Sequence, residues 1–220
     1  MARHLKRTKP LIYVFCEGES EQAYTDFLKK KFSDVAVIKR PSATGIFEFA
    51  QDKFQKDVKY KDNVEVTDEI WFFFDTEKDK TSLWNSRLKI IKKLRNLKKK
   101  SGIKVRLLMT TACIEYWLML HFKLYAPHIE TVAEKERVMA DLKKEEPQYE
   151  KGDYASTSKI AERFPLAVSN SKKVLANLVS EGLPGLEDTD ERNRWLYTNS
   201  KTFSTVHEAI TFLESLKTTK

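Results

Sequence analysis

The sequence lacks the cysteine patterns that mark disulfide scaffolds and structural zinc sites. Its 220 residues include two cysteines, Cys16 and Cys113, and both lie in apolar runs without a CxxC motif or a nearby cysteine–histidine spacing. We therefore expect a reducing compartment, for which the cytoplasm is the simplest choice. No apolar stretch approaches the roughly 20 residues needed to cross a bilayer, so we expect no membrane partner.

Glycine-rich phosphate-binding loops are missing as well. The chain contains neither a Walker-type loop nor a GxGxxG motif, so we do not expect it to hydrolyse ATP itself. Internal repeats and long low-complexity segments are also absent, which excludes the solenoid and linker classes of protein. Any ATPase that works with this chain would therefore be a separate subunit.

Positive charge, in contrast, is in excess. The sequence carries 40 Lys and Arg against 32 Asp and Glu, a formal net charge of +8, and its pI is near 9.2. Such a balance favours a polyanionic partner such as nucleic acid. Hydrophobic residues make up 41% and aromatic residues 11%, which is enough to bury a core. We expect a globular protein and leave homo-oligomer formation open.

Apolar runs of strand length alternate with helical patterns in the first half of the chain. The predicted strands cover residues 11–16, 35–39, 69–75 and 103–109, and the longest helical patterns there cover 83–100 and 110–125. This alternation predicts an α/β fold with a mainly parallel sheet flanked by helices. Only helical patterns follow. We therefore predict a core over residues 1–125 and a helical C-terminal part over 126–220, packed on that core.

Acidic residues follow two of these strands directly. Glu17 and Glu21 come after the first strand, whereas Asp75 ends the aromatic strand and Glu77 and Asp79 follow it. In open α/β sheets, ligands bind beyond the carboxyl ends of the strands, and adjacent strands lie roughly 4.8 Å apart. If these strands are neighbours, their carboxylates repel one another unless a cation such as Mg²⁺ or Mn²⁺ neutralises them. An acid in the first turn of a helix can also be a simple capping choice.

Two further polar residues interrupt the apolar segment 110–125. Glu115 shares a helical face with Leu118 and Met119, where an unpaired carboxylate would cost several kcal/mol, so it needs a partner. His121 lies on the adjacent face. A histidine in such surroundings is either a hydrogen-bonded core residue or a functional one, and the sequence leaves both open.

Three motifs in this order resemble the RloB-like family, whose members are similar to toprim (topoisomerase-primase) domains. They are VFCEGESEQAY at 14–24, WFFFDTEKDK at 71–80 and ACIEYWLMLHF at 112–122, and the later segments YEKGDY, NSKKV and TFSTVHEAI resemble the family too. The resemblance implies a toprim-like fold with Mg²⁺-dependent phosphotransfer chemistry. It also implies a role in phage defence or abortive infection, often beside a partner ATPase of the AAA or ABC type.

The resemblance also suggests individual roles. The toprim glutamate before a glycine falls on Glu17, and the toprim Asp-x-Asp pair falls on Asp75 and Glu77, with Glu replacing the second Asp. The expected ligands of Mg²⁺ or Mn²⁺ are Glu17, Glu21, Asp75, Glu77 and, in reserve, Asp79. We expect Glu17, Asp75, Glu115 and Lys151 to take part in catalysis; Glu17 could be a general base instead of a ligand, and Lys151 could be an ordinary loop lysine.

A dense basic face on the predicted helix 83–100 is the last candidate site. Its residues are Arg87, Lys92, Lys93, Lys98, Lys99 and Lys100. They could contact a nucleic-acid backbone through its phosphates or form a solvated surface. Together these features predict a metal-dependent nuclease that cleaves RNA, such as tRNA, or DNA in anti-phage defence. The alternatives are a non-catalytic binding or sensor subunit of an ATPase-containing complex and a primase-like phosphotransferase.

Overall fold

The protein folds around a four-stranded parallel sheet, which confirms the α/β prediction. The structure is a computed structural model that describes residues 9–218, without the side chain of Asp79. The sheet strands are β1 (Leu11–Cys16), β2 (Val37–Lys39), β3 (Thr67–Thr76) and β6 (Lys104–Thr111), in the order β2-β1-β3-β6. A separate antiparallel hairpin joins β4 (Asn96–Leu97) to β5 (Lys100–Ser101).

Helices cover both faces of this sheet and fill most of the C-terminal part. They are α1 (Glu19–Lys31), α2 (Phe47–Lys56), α3 (Val58–Asp62), α4 (Trp84–Arg95), α5 (Ile114–Met119), α6 (Val132–Glu145), α7 (Tyr154–Ala161), α8 (Phe164–Val179), α9 (Asp190–Thr198) and α10 (Val206–Thr218), with 3₁₀ turns at Val64–Val66 and Lys78–Leu83. Within residues 9–218, no helix combines the length and the apolar character that a bilayer span requires.

The aromatic strand β3 occupies the middle of the sheet because it is apolar on both faces. Trp71 and Phe73 contribute to one hydrophobic cluster, and Phe72 and Phe74 contribute to the other. The first cluster draws on α1, α5, α6, α7 and α10, whereas the second draws on α2, α4, α8 and α9. A parallel strand buried on both faces reads as a continuous hydrophobic run, as this one does.

The chain segment before α10 closes the free edge of β6. Thr110 and Ser204 form an antiparallel bridge, and the backbone N–H of Thr205 donates to the carbonyl of Met109 at 2.8 Å. The Thr205 hydroxyl donates to the carbonyl of Leu107 at 2.7 Å. These contacts use polar backbone groups that an open edge strand would expose to other chains.

Three local predictions were wrong at their boundaries. The apolar segment 110–125 is not one long helix, because Thr110 and Thr111 continue β6 and α5 covers six residues. Between them Ala112 has φ +65°, a left-handed conformation that interrupts both elements. The basic helix ends at Arg95 because the next residues enter the β4–β5 hairpin. The second strand begins at Val37, two residues later than predicted.

Candidate metal centre

Glu17 and Asp75 meet at the carboxyl end of the sheet because β1 and β3 are parallel neighbours. The register pairs Cys16 with Phe73, and the backbone N–H of Glu17 extends the ladder by donating to the carbonyl of Phe73 at 3.0 Å. The Glu17 carboxylate accepts a hydrogen bond from the backbone N–H of Asp75, also at 3.0 Å. The predicted approach of the two acid clusters is therefore present for these two residues.

Gly18 allows Glu21 to fold back over the same strand end. Gly18 is the N-cap of α1, and a Cβ atom at this position would lie 2.8 Å from Oε2 of Glu21. Glu21 is 4% exposed. The pKa of Glu21 is raised to about 7, mainly by burial and also by the charges of Glu115 and Glu17, against the opposing effects of a backbone hydrogen bond and the charge of Lys151. A carboxyl group that resists ionisation in this way is typical of functional sites.

Asp75 lies at the centre of this carboxylate cluster. Burial raises its pKa well above the ordinary value, and Glu21, Glu17 and Glu115 raise it further, while Lys151 lowers it. Its Oδ1 atom is buried and has no hydrogen-bond partner among the described residues. An unpartnered buried oxygen in a native site calls for an explanation, and an absent ion is one of them.

Glu115 reaches the cluster from α5, and its partner is a residue that the sequence did not suggest. Glu115 is 2% exposed, and the Tyr149 hydroxyl donates to its Oε1 at 3.1 Å. Burial and the neighbouring Glu115 charge raise the pKa of Tyr149, so the phenol keeps its proton and remains a donor. The expectation that Glu115 needs a partner is confirmed.

The turn that carries Lys151 is anchored on the first turn of α1. The backbone N–H of Gly152 donates to the Ser20 hydroxyl at 3.0 Å, and Gly152 has φ +79°. A Cβ atom on Gly152 would lie 3.1 Å from the Cβ of Glu19, so the two backbones approach closely here. Lys151 is exposed, yet its charge acts on both Glu21 and Asp75. The turn thus brings one positive charge to four carboxylates.

Glu77, another predicted ligand, is paired with lysines in this structure. Its carboxylate contacts Lys80 and Lys135, each at 2.9 Å. Burial alone would raise the pKa of Glu77, but the hydrogen bonds from Lys80 and Lys135 lower it. Lys80 also donates to Glu17 at 2.8 Å. The side chain of Asp79, the reserve ligand, lies outside the described part of the structure.

The carboxylate oxygens of the cluster are not arranged as a complete set of metal ligands. Within the described residues, no three His, Cys, Asp or Glu side chains are arranged closely enough to hold a metal ion. Glu17 is engaged by Lys80 and Glu115 by Tyr149. The cluster therefore offers oxygen donors, several of which already have protein partners.

The order of these elements and motifs along the chain matches one protein family. A family model described as RloB-like protein covers residues 12–213. The chain belongs to the RloB-like family. No curated protein and no solved structure gives a significant match to it. The family match includes every element that supplies a side chain to the cluster, from β1 to the turn at Gly152.

His121 of this RloB-like chain is a core residue and not part of the cluster. It is fully buried, its Nδ1 lies 3.0 Å from the carbonyl of Trp117 and its Nε2 lies 3.1 Å from the Tyr24 hydroxyl. A carbonyl only accepts, so Nδ1 carries the proton and Nε2 accepts from Tyr24. Burial lowers the pKa of His121 to about 3. The neutral ring links α1 to α5 through its hydrogen bonds with Tyr24 and the carbonyl of Trp117.

The predicted basic face is divided by the fold. Arg87 is buried over the rings of Phe47, Phe74 and Tyr197, at 5.0, 5.6 and 5.3 Å from their centroids, so its assignment to an exposed basic face was wrong. Lys92, Lys93, Lys98 and Lys99 are exposed, and Lys100 lies 3.6 Å from Asp68 at the start of β3. These lysines therefore lie at the amino end of the sheet, opposite the carboxylate cluster.

Proposed function

We propose that this RloB-like protein is a divalent-cation-dependent nuclease whose active centre is the cluster of Glu17, Glu21, Asp75 and Glu115. One observation supports this most strongly. Asp75 has a buried oxygen without a partner among the described residues, and three neighbouring carboxylates raise its pKa. Four acids held together at the carboxyl end of the sheet repel one another, so a cation bound there would stabilise the folded protein.

The residues present fit Mg²⁺ or Mn²⁺ by their donor chemistry. All candidate donors are carboxylate oxygens, which these hard cations prefer. Glu17, Glu21 and Asp75 would hold the ion after their side chains move closer together, because no three described acids are arranged as ligands in this structure. The ion would orient the scissile phosphate and stabilise charge on the attacking and leaving oxygens. Because Lys80 occupies Oε1 of Glu17 at 2.8 Å, binding at that atom requires Lys80 to move away.

The remaining side chains would set the charge and shape of the centre. Tyr149 holds Glu115 in place through its hydroxyl. Lys151 is exposed, and its positive charge lowers the pKa of both Asp75 and Glu21. The same charge would attract the negatively charged phosphodiester. Gly18 leaves room for the Glu21 carboxylate. These groups account for substrate attraction and ligand placement, with nucleic acid, RNA such as tRNA or DNA, as the substrate.

The proposed defence role rests on the family resemblance and not on the geometry. In line with the RloB resemblance, we propose that cleavage serves anti-phage defence and that a separate AAA or ABC-type ATPase subunit works with this chain. The absence of glycine-rich phosphate loops from the sequence supports a separate subunit. Phage plating on cells that express the wild type or Asp75→Ala, with and without the neighbouring ATPase gene, tests this role.

The nuclease proposal is tested by incubating the purified protein with Mg²⁺ or Mn²⁺ and a panel of tRNA, mRNA, single-stranded DNA and duplex DNA. We expect cleavage of at least one substrate, its loss in EDTA and its loss in Asp75→Ala. Glu19→Ala is the matched control, because Glu19 is exposed and lies between the two glutamates of the cluster. If no substrate is cut, with or without the ATPase, and Asp75→Ala leaves toxicity in cells unchanged, the proposal is wrong.

A non-catalytic sensor subunit is the second candidate, and one observation favours it. The second acid of the Asp75-x-Glu77 pair is held by two lysines and does not face the cluster. A sensor would retain defence activity in Glu17→Ala and Asp75→Ala, provided that both variants remain folded. A nuclease would lose that activity in both variants, so the same plating assay separates the two functions.

A further inference from the structure

A cavity with both polar and apolar lining lies beside the carboxylate cluster, at the carboxyl ends of β3 and β6. Its volume is about 210 Å³, and Thr76, Glu77 and Ala112 form the part of its wall that adjoins the strand ends. Because Glu77 follows Asp75 by two residues, the cavity opens next to the proposed centre. The volume is below the range of about 300–1,000 Å³ for drug-sized ligands and suits one sugar-phosphate unit.

Three lysines from three separate parts of the chain line this cavity. Lys78 follows β3, Lys135 lies on α6, and Lys201 precedes α10. Each pairs with a carboxylate: Lys78 with Glu130 at 3.4 Å, Lys135 with Glu77 at 2.9 Å, and Lys201 with Glu181 at 2.6 Å. Partly exposed ion pairs of this kind contribute little, so the lysines can exchange these partners for a phosphate.

Glu77 fixes the positions of the lysines on the side nearest the cluster. It pairs with Lys135 and with Lys80, and Lys80 in turn contacts Glu17. The cavity lining contains three lysines and two glutamates, whereas the adjoining cluster contains four carboxylates. The lining itself therefore has a net charge of +1, next to an acidic cluster. A cation-binding centre next to lysines that can exchange their partners for phosphate matches a nucleic-acid strand that passes over both.

The cavity also has an apolar wall. Ile129 is buried there, and Val132 is 71% exposed at the start of α6. Tyr197 also lines the cavity, and its hydroxyl donates to the carbonyl of Lys80 at 2.8 Å. A lining that combines lysines with apolar residues suits the phosphate and the sugar or base of one nucleotide.

We propose that this cavity binds the nucleotide next to the scissile bond, with Lys135 and Lys201 on its phosphate and Val132 against its sugar or base. The path of the nucleic-acid strand over both the cluster and the cavity rests on the proposed nuclease function. Binding of a nucleotide in the cavity does not itself require cleavage. Glu77 is then a positioning residue for the lysines and not a metal ligand. This role would account for the two lysine contacts of Glu77, which occupies the position of the second acid in the Asp-x-Asp pair.

Binding without metal separates this proposal from catalysis. In EDTA, fluorescence anisotropy of a labelled tetranucleotide is measured for the wild type and for Lys135→Gln/Lys201→Gln. The control is Lys29→Gln/Lys30→Gln, which removes the same charge from two exposed residues in the last turn of α1, outside the cavity and the basic face. We expect about tenfold weaker binding in the first pair, because both lysines would contact phosphate, and about twofold or less in the control, as for ordinary surface charges. Equal losses in both pairs would overturn the proposal.

Competition experiments identify the chemical class of the ligand. We expect a nucleoside 5′-monophosphate to displace the tetranucleotide more strongly than inorganic phosphate does, and Val132→Asp to remove that difference. Equal displacement by phosphate would contradict the role of the apolar wall. If lysine-dependent binding occurs but no substrate is cut, the nuclease proposal fails alone. If substrate is cut with unchanged KM in Lys135→Gln/Lys201→Gln, the cavity proposal fails alone.

Discussion

Two aspartates on the same strand show how differently the two ends of the sheet are built. Asp68, near the start of β3, accepts a hydrogen bond from the backbone N–H of Leu11 at 2.9 Å and lies 3.6 Å from Lys100. Asp75, roughly 23 Å further along at about 3.3 Å per residue, has a buried oxygen with no partner in the described part of the chain. The Asp68 carboxylate has a hydrogen-bond donor and a nearby lysine, whereas one oxygen of Asp75 lacks, within residues 9–218, a hydrogen bond that would offset the free energy of its burial.

Charge is distributed between the same two ends. Residues 80–114 contain eleven Lys and Arg and no acid, so the rest of the chain carries a net charge of −3. The exposed lysines of this segment lie at the amino end, away from the carboxylates. An excess of one charge in the composition therefore indicates a basic surface and does not locate the proposed active centre, which is acidic in this basic protein.

The largest expected effect comes from exchanging the two aspartates for asparagine. Asp75→Asn should lower the cleavage rate by about 10²–10³-fold, the usual loss for one preorganised electrostatic group, because the amide cannot supply the same charge to a cation. Asp68→Asn, measured in the same gel-based cleavage assay, should stay within about twofold of the wild type, as for an exposed surface group. Equal losses would show that the two ends are not functionally different.

The pH dependence of folding should reveal the strain at the carboxyl end. Glu21 holds its proton up to about pH 7 in the folded state, against 4.5 for its ordinary value. Between these values the folded state binds more protons than the unfolded state, so stability falls as pH rises. For Glu21 alone we expect a loss of roughly 3 kcal/mol of unfolding free energy in EDTA from pH 5 to pH 8, while the lowered pKa values of the buried His121 and His207 act in the opposite direction.

Urea unfolding at both pH values measures this difference, and Glu21→Gln should largely remove it. Glu19→Gln is the matched control, since Glu19 is exposed. The same change in stability from pH 5 to pH 8 in the wild type and in Glu21→Gln would contradict the strained cluster. Addition of Mg²⁺ at pH 8 should restore stability to the wild type more than to Glu21→Gln.

A smaller effect is expected from the tyrosine that supports the buried glutamate. Tyr149→Phe removes the hydroxyl that bonds Glu115 and should cost about 1–3 kcal/mol of unfolding free energy, the range for leaving a buried polar group unsatisfied. Tyr154→Phe, at an exposed position a few residues later, should change stability by no more than about 0.5 kcal/mol. Unfolding curves in urea at pH 7 compare the two variants.

The smallest effect is expected at the amino end. Lys98→Gln/Lys99→Gln should weaken binding to duplex DNA and reduce the slope of log K against log salt by up to about 2, since each phosphate contact contributes about 0.9. The rate of cleavage at saturating substrate should not change, because these lysines lie away from the cluster. A fall in that rate without a change in the salt slope would assign them to the active centre instead.

Features that depend on adjacent strands and local periodicity could be predicted from the sequence. The approach of Glu17 to Asp75 follows from two apolar runs that each end in an acid, and the need of Glu115 for a partner follows from its apolar neighbours. Tyr149 could not be predicted as that partner, because it lies 34 residues away and reaches Glu115 only through the turn that follows α6.

The wrong assignments arose where side chains from distant elements compete for one residue. Glu77 was expected to face the cluster because it follows Asp75 at alternating spacing, but Lys135 from α6 and Lys80 hold it elsewhere. Arg87 was assigned to an exposed basic face, yet rings from α2, β3 and α9 enclose it. Neither outcome is visible in a local pattern, because both depend on how the C-terminal helices pack.

The turn at Gly152 has a consequence for the order in which a ribosome produces this protein. All four carboxylates of the cluster lie within the first 115 residues, whereas Tyr149 and Lys151, which hold and balance them, come later. Domains are synthesised at about 5–20 residues per second and fold as units, so a nascent chain that ends at α5 has the acids but not their support. We expect a competent centre to form only once the turn has left the ribosome and docked on Ser20.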